Sequence, residues 1–201
     1  FSFSEGAING ESKVAPVRAA ISYTQRNIND SLAARFSVSR GTSKFEATNR
    51  GDSPNAQFTS YLAQIQYSKL LVERVHVTAK ALAQYAADPL LSIEKYALGG
   101  IKTVRGYRQN QVVRDNAYLA SLEAHYRPDL PIWVDLIGFV DWGRGENHKD
   151  SAATGRSDLA SIGVGVVLKH SQRLSVELYL AHGFDDFKTS EYDLQDDGVH
   201  F

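Results

Sequence analysis

Two-residue alternation of apolar and polar side chains, sustained over segments of about ten residues and repeated along the chain, restricts the fold more than any other feature. From Leu174 to Leu180 the even positions are Leu174, Val176, Leu178 and Leu180, opposed by Arg173, Ser175, Glu177 and Tyr179. Tyr118, Ala120, Leu122, Ala124 and Tyr126 likewise oppose Leu119, Ser121, Glu123 and His125. Val75, Val77, Ala79, Ala81, Ala83 and Tyr85 form one stripe, Ile132 through Trp142 another, and Ala160, Ile162, Val164, Val166 and Leu168 a third. Leu32 to Val38, Thr59 to Tyr67 and, more weakly, Ala19 to Tyr23 repeat the pattern.

These stripes predict an all-β chain of about ten antiparallel strands: 1–5, 18–26, 32–40, 57–67, 74–86, 117–127, 132–144, 158–168, 173–183 and 195–201. A soluble sandwich would alternate in the same way. Three further observations favour a transmembrane β-barrel. The polar face carries Arg, Lys, His and Glu in mid-strand, and strands of this length cross a bilayer at a tilt. Tyr and Trp stand near the ends of the apolar stripes, at the level of lipid headgroups. Connections alternate short (Asn27 to Asp30, Ser68 to Glu73, Pro128 to Pro131, Ser171 to Gln172) with long (41–56, 87–116, 145–157, 184–194), so every short turn falls at one end. That asymmetry belongs to bacterial outer-membrane barrels.

No apolar run approaches the roughly 20 residues of a membrane helix, and no signal peptide stands at the start. The 22 basic and 23 acidic side chains nearly cancel, giving no footprint for nucleic acid. With Phe1 first and no methionine among its 201 residues, the chain reads as a processed product or a piece of a longer one.

The longest connection, 87–116, contains Leu98-Gly99-Gly100-Ile101-Lys102-Thr103-Val104-Arg105-Gly106-Tyr107, in which glycines bracket one arginine. Gly99, Gly100 and Gly106 permit a tight backbone path. Such a tip suggests a plug or latch.

Lys95-Tyr96-Ala97-Leu98-Gly99-Gly100, then Thr103-Val104-Arg105-Gly106-Tyr107, then Ser121-Leu122-Glu123 and Phe139-Val140-Asp141-Trp142-Gly143, together resemble the C-terminal barrel part of the two-partner secretion transporters. That family, TpsB, is related to the barrel-assembly insertases, and the resemblance covers nearly all of the chain. It implies a sixteen-strand barrel in the bacterial outer membrane, with 74–86 as the eleventh strand and 117–127 as the twelfth. The motif loop between them would fold back into the lumen. The family's early strands, periplasmic POTRA domains and plug helix have no counterpart in these residues, which read as one barrel unit, 1–201.

The resemblance further implies export of an unfolded, β-rich exoprotein of the haemolysin or adhesin class, with outer-membrane lipid around the barrel. Glu123 and Asp141 match family positions whose carboxylates hold the loop arginine. Both lie on their strands' polar face, and a guanidinium withdrawn into the lumen needs such partners. The expected site is therefore Gly99, Gly100, Val104, Arg105, Gly106 and Tyr107 as a latch, with Glu123 and Asp141 as its lumen partners. An insertase of the same superfamily and a passive porin-like barrel are the alternatives.

No catalytic site, metal or cofactor is expected. The six histidines show no metal-ligand spacing, no phosphate loop follows Gly99-Gly100, and no nucleophile elbow is present. Asp185, Asp186, Asp196 and Asp197 read as solvated acidic pairs, and Arg108, Arg114 and Asp115 as ordinary loop charges.

Overall fold

A computed structural model describes residues 13–43, 54–149, 156–171, 174–185 and 199–200. Eight long strands alternate in direction: β1 (Ala15–Arg26), β2 (Asp30–Thr42), β3 (Thr59–Val72), β4 (Val75–Ala86), β7 (Asn116–Tyr126), β8 (Trp133–Glu146), β9 (Arg156–Ser171) and β10 (Leu174–Gly183). The short β11 (Val199–His200) pairs with Tyr179 and Leu180. Together they form one sheet in chain order, entirely antiparallel, which does not close on itself among the described residues.

The all-β expectation stands, and the long strands follow the alternating segments closely. Expected strand 1–5 lies outside the described residues, as does most of 195–201. The connection 87–116 is more ordered than a loop. It contains a two-stranded hairpin, β5 (Tyr96–Leu98) and β6 (Val112–Arg114), separate from the main sheet.

Register turns alternation into two faces. On one face Ile65, Ala81, Ala120, Trp142 and Ala160 lie in a single hydrogen-bonded row across five strands. On the other, Lys80, Ser121, Asp141, Ser161 and Gly183 form the equivalent row.

The first face is bare. Leu122, Val140, Ile162, Val164 and Leu180 are 45% to 60% exposed, and no second layer covers them among the described residues. A contiguous apolar band of this extent belongs against lipid. Aromatics edge it at both ends: Phe36, Tyr61 and Tyr85 stack in succession near one, with centroids 6.3 and 6.4 Å apart, and Tyr67 and Tyr126 stand near the other. A charge at mid-strand on this face is expected to be expensive. Leu122→Arg should destabilise the folded protein in lipid vesicles by about 2–4 kcal/mol in urea titrations. Gln64→Arg, on the opposite face, should change it by less than about 0.5 kcal/mol.

The second face was expected to be polar, yet Leu119, Ile137, Phe139, Leu159, Val167 and Tyr179 are buried there. The reason is the returning connection. Leu98, Val104, Tyr107 and Val112 pack on Ala117, Leu119 and Leu159, while Ile101 reaches the cluster of Ile137, Phe139, Val167 and Tyr179. The core of the molecule thus lies between the sheet's inner wall and its own longest connection.

Candidate functional site

The path of the connection starts at two glycines. Gly99 and Gly100 have φ of +102° and +97°, in the left-handed region open to glycine, and a Cβ on Gly99 would lie 2.4 Å from the Arg108 carbonyl. Beyond the β5 strand the chain tightens into a turn in which Gly100 N–H donates to the Val104 carbonyl (3.1 Å) and Thr103 N–H to the Gly100 carbonyl (3.1 Å). Residue 105 is thereby carried onto the inner wall.

Arg105 is held there by β7 and β8. Its Nε and Nη2 donate to Asp141 Oδ2 and Oδ1, both at 2.7 Å, and its backbone N–H donates to the same Oδ2 at 3.2 Å. Nη1 lies 2.9 Å from Glu123 Oε1. Nη2 also reaches Ser121 Oγ (3.3 Å), whose hydroxyl donates to Asp141 Oδ1 (2.7 Å). The guanidinium plane lies over the Phe139 ring, 3.5 Å from its centroid, with Tyr179 at 5.4 Å. A planar fork that bonds bidentately and stacks at once is a geometry lysine cannot copy.

The Arg105 side chain is 5% exposed. Burial works against its charge, but the hydrogen bonds and fields of Asp141 and then Glu123 more than offset this, and its pKa lies above the ordinary arginine value. Lys80 Nζ donates to the second Glu123 oxygen at 2.9 Å, so two cations balance two carboxylates.

The flanking residues dock the tip. Val104 is fully buried against Gly143, where an added Cβ would approach Val104 Cγ2 to 2.8 Å. Tyr107 hydroxyl donates to the Ala160 carbonyl (2.7 Å) and accepts from Ala160 N–H (3.2 Å) and Asp185 N–H (3.1 Å). Burial raises the pKa of that phenol, keeping the donor proton in place. Gly106, with φ +89°, lies against Gly183, where a Cβ would be 2.8 Å from the Tyr107 ring.

Of the residues singled out from sequence, Val104, Arg105, Gly106, Tyr107, Glu123 and Asp141 come together on the inner wall, while Gly99 and Gly100 shape the turn. Ser121, Phe139, Tyr179 and Lys80 were not foreseen as participants. Strand parity alone would have placed them inward, and Ser121 is the direct register partner of Asp141.

Asp115 and Arg114 are not ordinary loop charges. Asp115 is fully buried, accepting from the backbone N–H of Leu90 (3.0 Å) and His148 (2.8 Å) beside the ammonium of Lys95 (3.7 Å). Arg114 donates to the Val113 carbonyl (3.0 Å) and Ser157 Oγ (3.3 Å). Spacing along the chain gave no histidine pair, yet His76 and His125 stack across β4 and β7 with centroids 4.2 Å apart. Asp186, Asp196 and Asp197 lie outside the described residues.

An antiparallel sheet with a lipid-type outer face, whose inner face receives an arginine-tipped connection, defines a class: outer-membrane β-barrels with a loop inserted in the lumen. Within it, the chain belongs to the ShlB/FhaC/HecB family of haemolysin secretion/activation proteins, whose family model matches residues 7–168. It is 26% identical over 141 residues to the heme/hemopexin transporter protein HuxB of Haemophilus influenzae (strain 86-028NP), covering 66% of this chain and 25% of that protein. To the outer membrane transporter CdiB of Dickeya dadantii (strain 3937) it is 28% identical over 109 residues, 53% of this chain and 20% of that one. The solved structure of CdiB from Escherichia coli superposes with a TM-score of 0.75 at 21% identity, over 87% of this chain and 33% of that one. The fold is therefore that of a barrel transporter, and the protein is placed in the bacterial outer membrane. The chain spans about a quarter of the length of the curated relatives it matches.

Proposed function

We propose that this chain forms part of an outer-membrane pore for two-partner secretion, which passes an unfolded, β-rich exoprotein to the cell exterior. The observation that carries this reading is the Arg105 clamp: a guanidinium on a returning connection, paired with Asp141 and Glu123 on adjacent strands of the lumen wall. In a protein of this family, such a contact gives the lumen a fixed obstruction that is anchored by non-covalent bonds and can yield to a passing chain.

On this reading residues 1–201 are one barrel unit, 87–116 are the latch-bearing connection, and β4 and β7 are the eleventh and twelfth of sixteen strands. Gly99 and Gly100 set the latch's turn, Val104 and Tyr107 dock it, and Gly106 allows its close approach to β10. The task is translocation, with no covalent step, no cofactor and no nucleic-acid partner. Lipid contacts the bare face. The relatives, a heme/hemopexin transporter protein and an outer membrane transporter by name, are in keeping with a transport role.

The test is deletion of the gene followed by proteomics of the culture medium and the outer membrane. One large secreted protein should vanish from the medium, returning on complementation, with the outer-membrane profile intact. Broad loss of outer-membrane proteins would instead identify an insertase and overturn the export reading.

A further inference from the structure

We infer that the inner wall carries a binding site for a divalent transition-metal ion of the zinc type, formed by His76 on β4, His125 on β7 and Asp135 on β8. The inference stands on the geometry of the wall and does not rest on the export reading.

Register builds the cluster from residues far apart in sequence. His76 and His125 are directly paired across β4 and β7, and Asp135 sits two residues from Ile137, the partner of His125 on β8. Directly opposite and diagonal positions on one face are within side-chain reach. One ligand atom from each residue lies within 4.8 Å of the others.

Two features suit an ion. Asp135 is 4% exposed, and its Oδ1 is buried with no hydrogen-bond partner, although buried carboxylate oxygens normally have one. Its other oxygen, Oδ2, lies 3.2 Å from His125 Nδ1. That separation is close to the edge of a tetrahedron with metal–ligand bonds of about 2.0–2.1 Å, roughly 3.4 Å. These two atoms share a hydrogen bond, which an ion between them would replace, and a turn of the carboxylate would bring the unpartnered Oδ1 to the ion instead.

The second nitrogen of His125 fixes its orientation. Nε2 faces Glu123 Oε2 at 3.5 Å, the arrangement in which a carboxylate draws the imidazole proton to one nitrogen and leaves the other's lone pair for a metal. His76, whose ring lies nearly parallel to that of His125 (15°), supplies the third ligand by turning out of this stack and closing from up to 4.8 Å to about 3.4 Å. Two imidazoles and a carboxylate are a donor set for zinc-type ions, with the fourth position left to water. Nearby cations are Arg127, whose Nη2 lies 3.5 Å from Asp135 Oδ2 and whose guanidinium rests over Trp133, and Lys80, already bonded to Glu123. Neither engages Oδ1 of Asp135.

A bound ion would tie together β4, β7 and β8, with Glu123 shared between His125 and Arg105. The test uses the protein at its full natural length without a histidine tag, purified in detergent and stripped of metal. Zn²⁺ is then titrated by calorimetry, and Co²⁺ is added to read tetrahedral coordination from its visible spectrum. The expected result is a Zn²⁺ site whose affinity falls at least about 100-fold in both His76→Ala and Asp135→Asn, since even residues that only orient a ligand contribute 10–100-fold. His148→Ala, in a connection remote from the cluster, should leave it unchanged. Each variant is checked for the fast migration of a folded barrel in unheated gels, and His76→Gln replaces His76→Ala if that variant does not fold. Absence of Zn²⁺ binding, or binding unchanged in His76 and Asp135 variants that remain folded, overturns the site.

Discussion

Arg105→Ala is expected to cut export of the partner protein at least about tenfold while leaving the barrel inserted and heat-modifiable. Removing one member of a buried ion pair typically costs about 3–5 kcal/mol, because the partners remain as uncompensated charges. Asp141 would be left in that state, while Glu123 would keep Lys80, and such a loss shifts the docked population of the connection by more than tenfold. The strand ladders do not pass through Arg105, so assembly should survive. Arg105→Lys should not restore export, since one ammonium cannot bond Asp141 bidentately, reach Glu123 and cover the Phe139 ring together. Coupling provides the decisive check. In the Asp141→Asn background, Arg105→Ala should have a much smaller further effect, because the two residues share one interaction. Secretion at the normal level by Arg105→Ala would sink the latch role, whatever the barrel's own function.

How much of this was legible in the sequence depends on whether a feature lives along a strand or across strands. Side-chain parity is a local property of an extended backbone, so the outward stripes from Leu32 to Leu180 could be read directly. Arg105, Glu123 and Asp141 were found because they sit in short motifs. What escaped depends on register, which the alternation does not define. Ser121 is a partner of Asp141 only because β7 and β8 align so, and His76, His125 and Asp135 meet only across three strands. The apolar inner residues Leu119, Ile137 and Phe139 contradict a polar lumen until the connection is laid over them. Glycines tell the same story. Gly143 reads as the end of a strand motif and Gly145 as the start of a connection, yet a Cβ on either would approach Val104, or Val112 and Arg114, to 2.8 Å. They mark where the wall makes room for the connection.

The root of that connection should be as sensitive as its tip, and Asp115 is where this can be tested. Its two oxygens accept from Leu90 N–H and His148 N–H, joining the start of the 87–116 segment to the connection that follows β8, with Lys95 alongside. Its own carbonyl accepts from Gln84 Nε2 on β4 at 3.1 Å. Asp115→Ala would take that carboxylate from the Lys95 ammonium, 5% exposed, and its oxygens from the Leu90 and His148 N–H groups. Removing one partner of a buried ion pair costs up to about 3–5 kcal/mol, less where the remaining charge keeps other contacts, and a buried donor that loses its acceptor adds about 1–3 kcal/mol. Asp115→Asn keeps an acceptor but not the charge, so roughly half of the loss is expected. The strand ladders are untouched by either change. Accordingly, the variants should remain folded barrels in unheated gels while residues 87–116 become cleavable by added protease and exchange their amide hydrogens faster, most in Asp115→Ala. Arg105→Ala should open the same segment from its other end, exposing 99–107 first, with Leu90 still protected. Wild-type protection of 87–116 in Asp115→Ala would mean that the tip alone holds the connection in place.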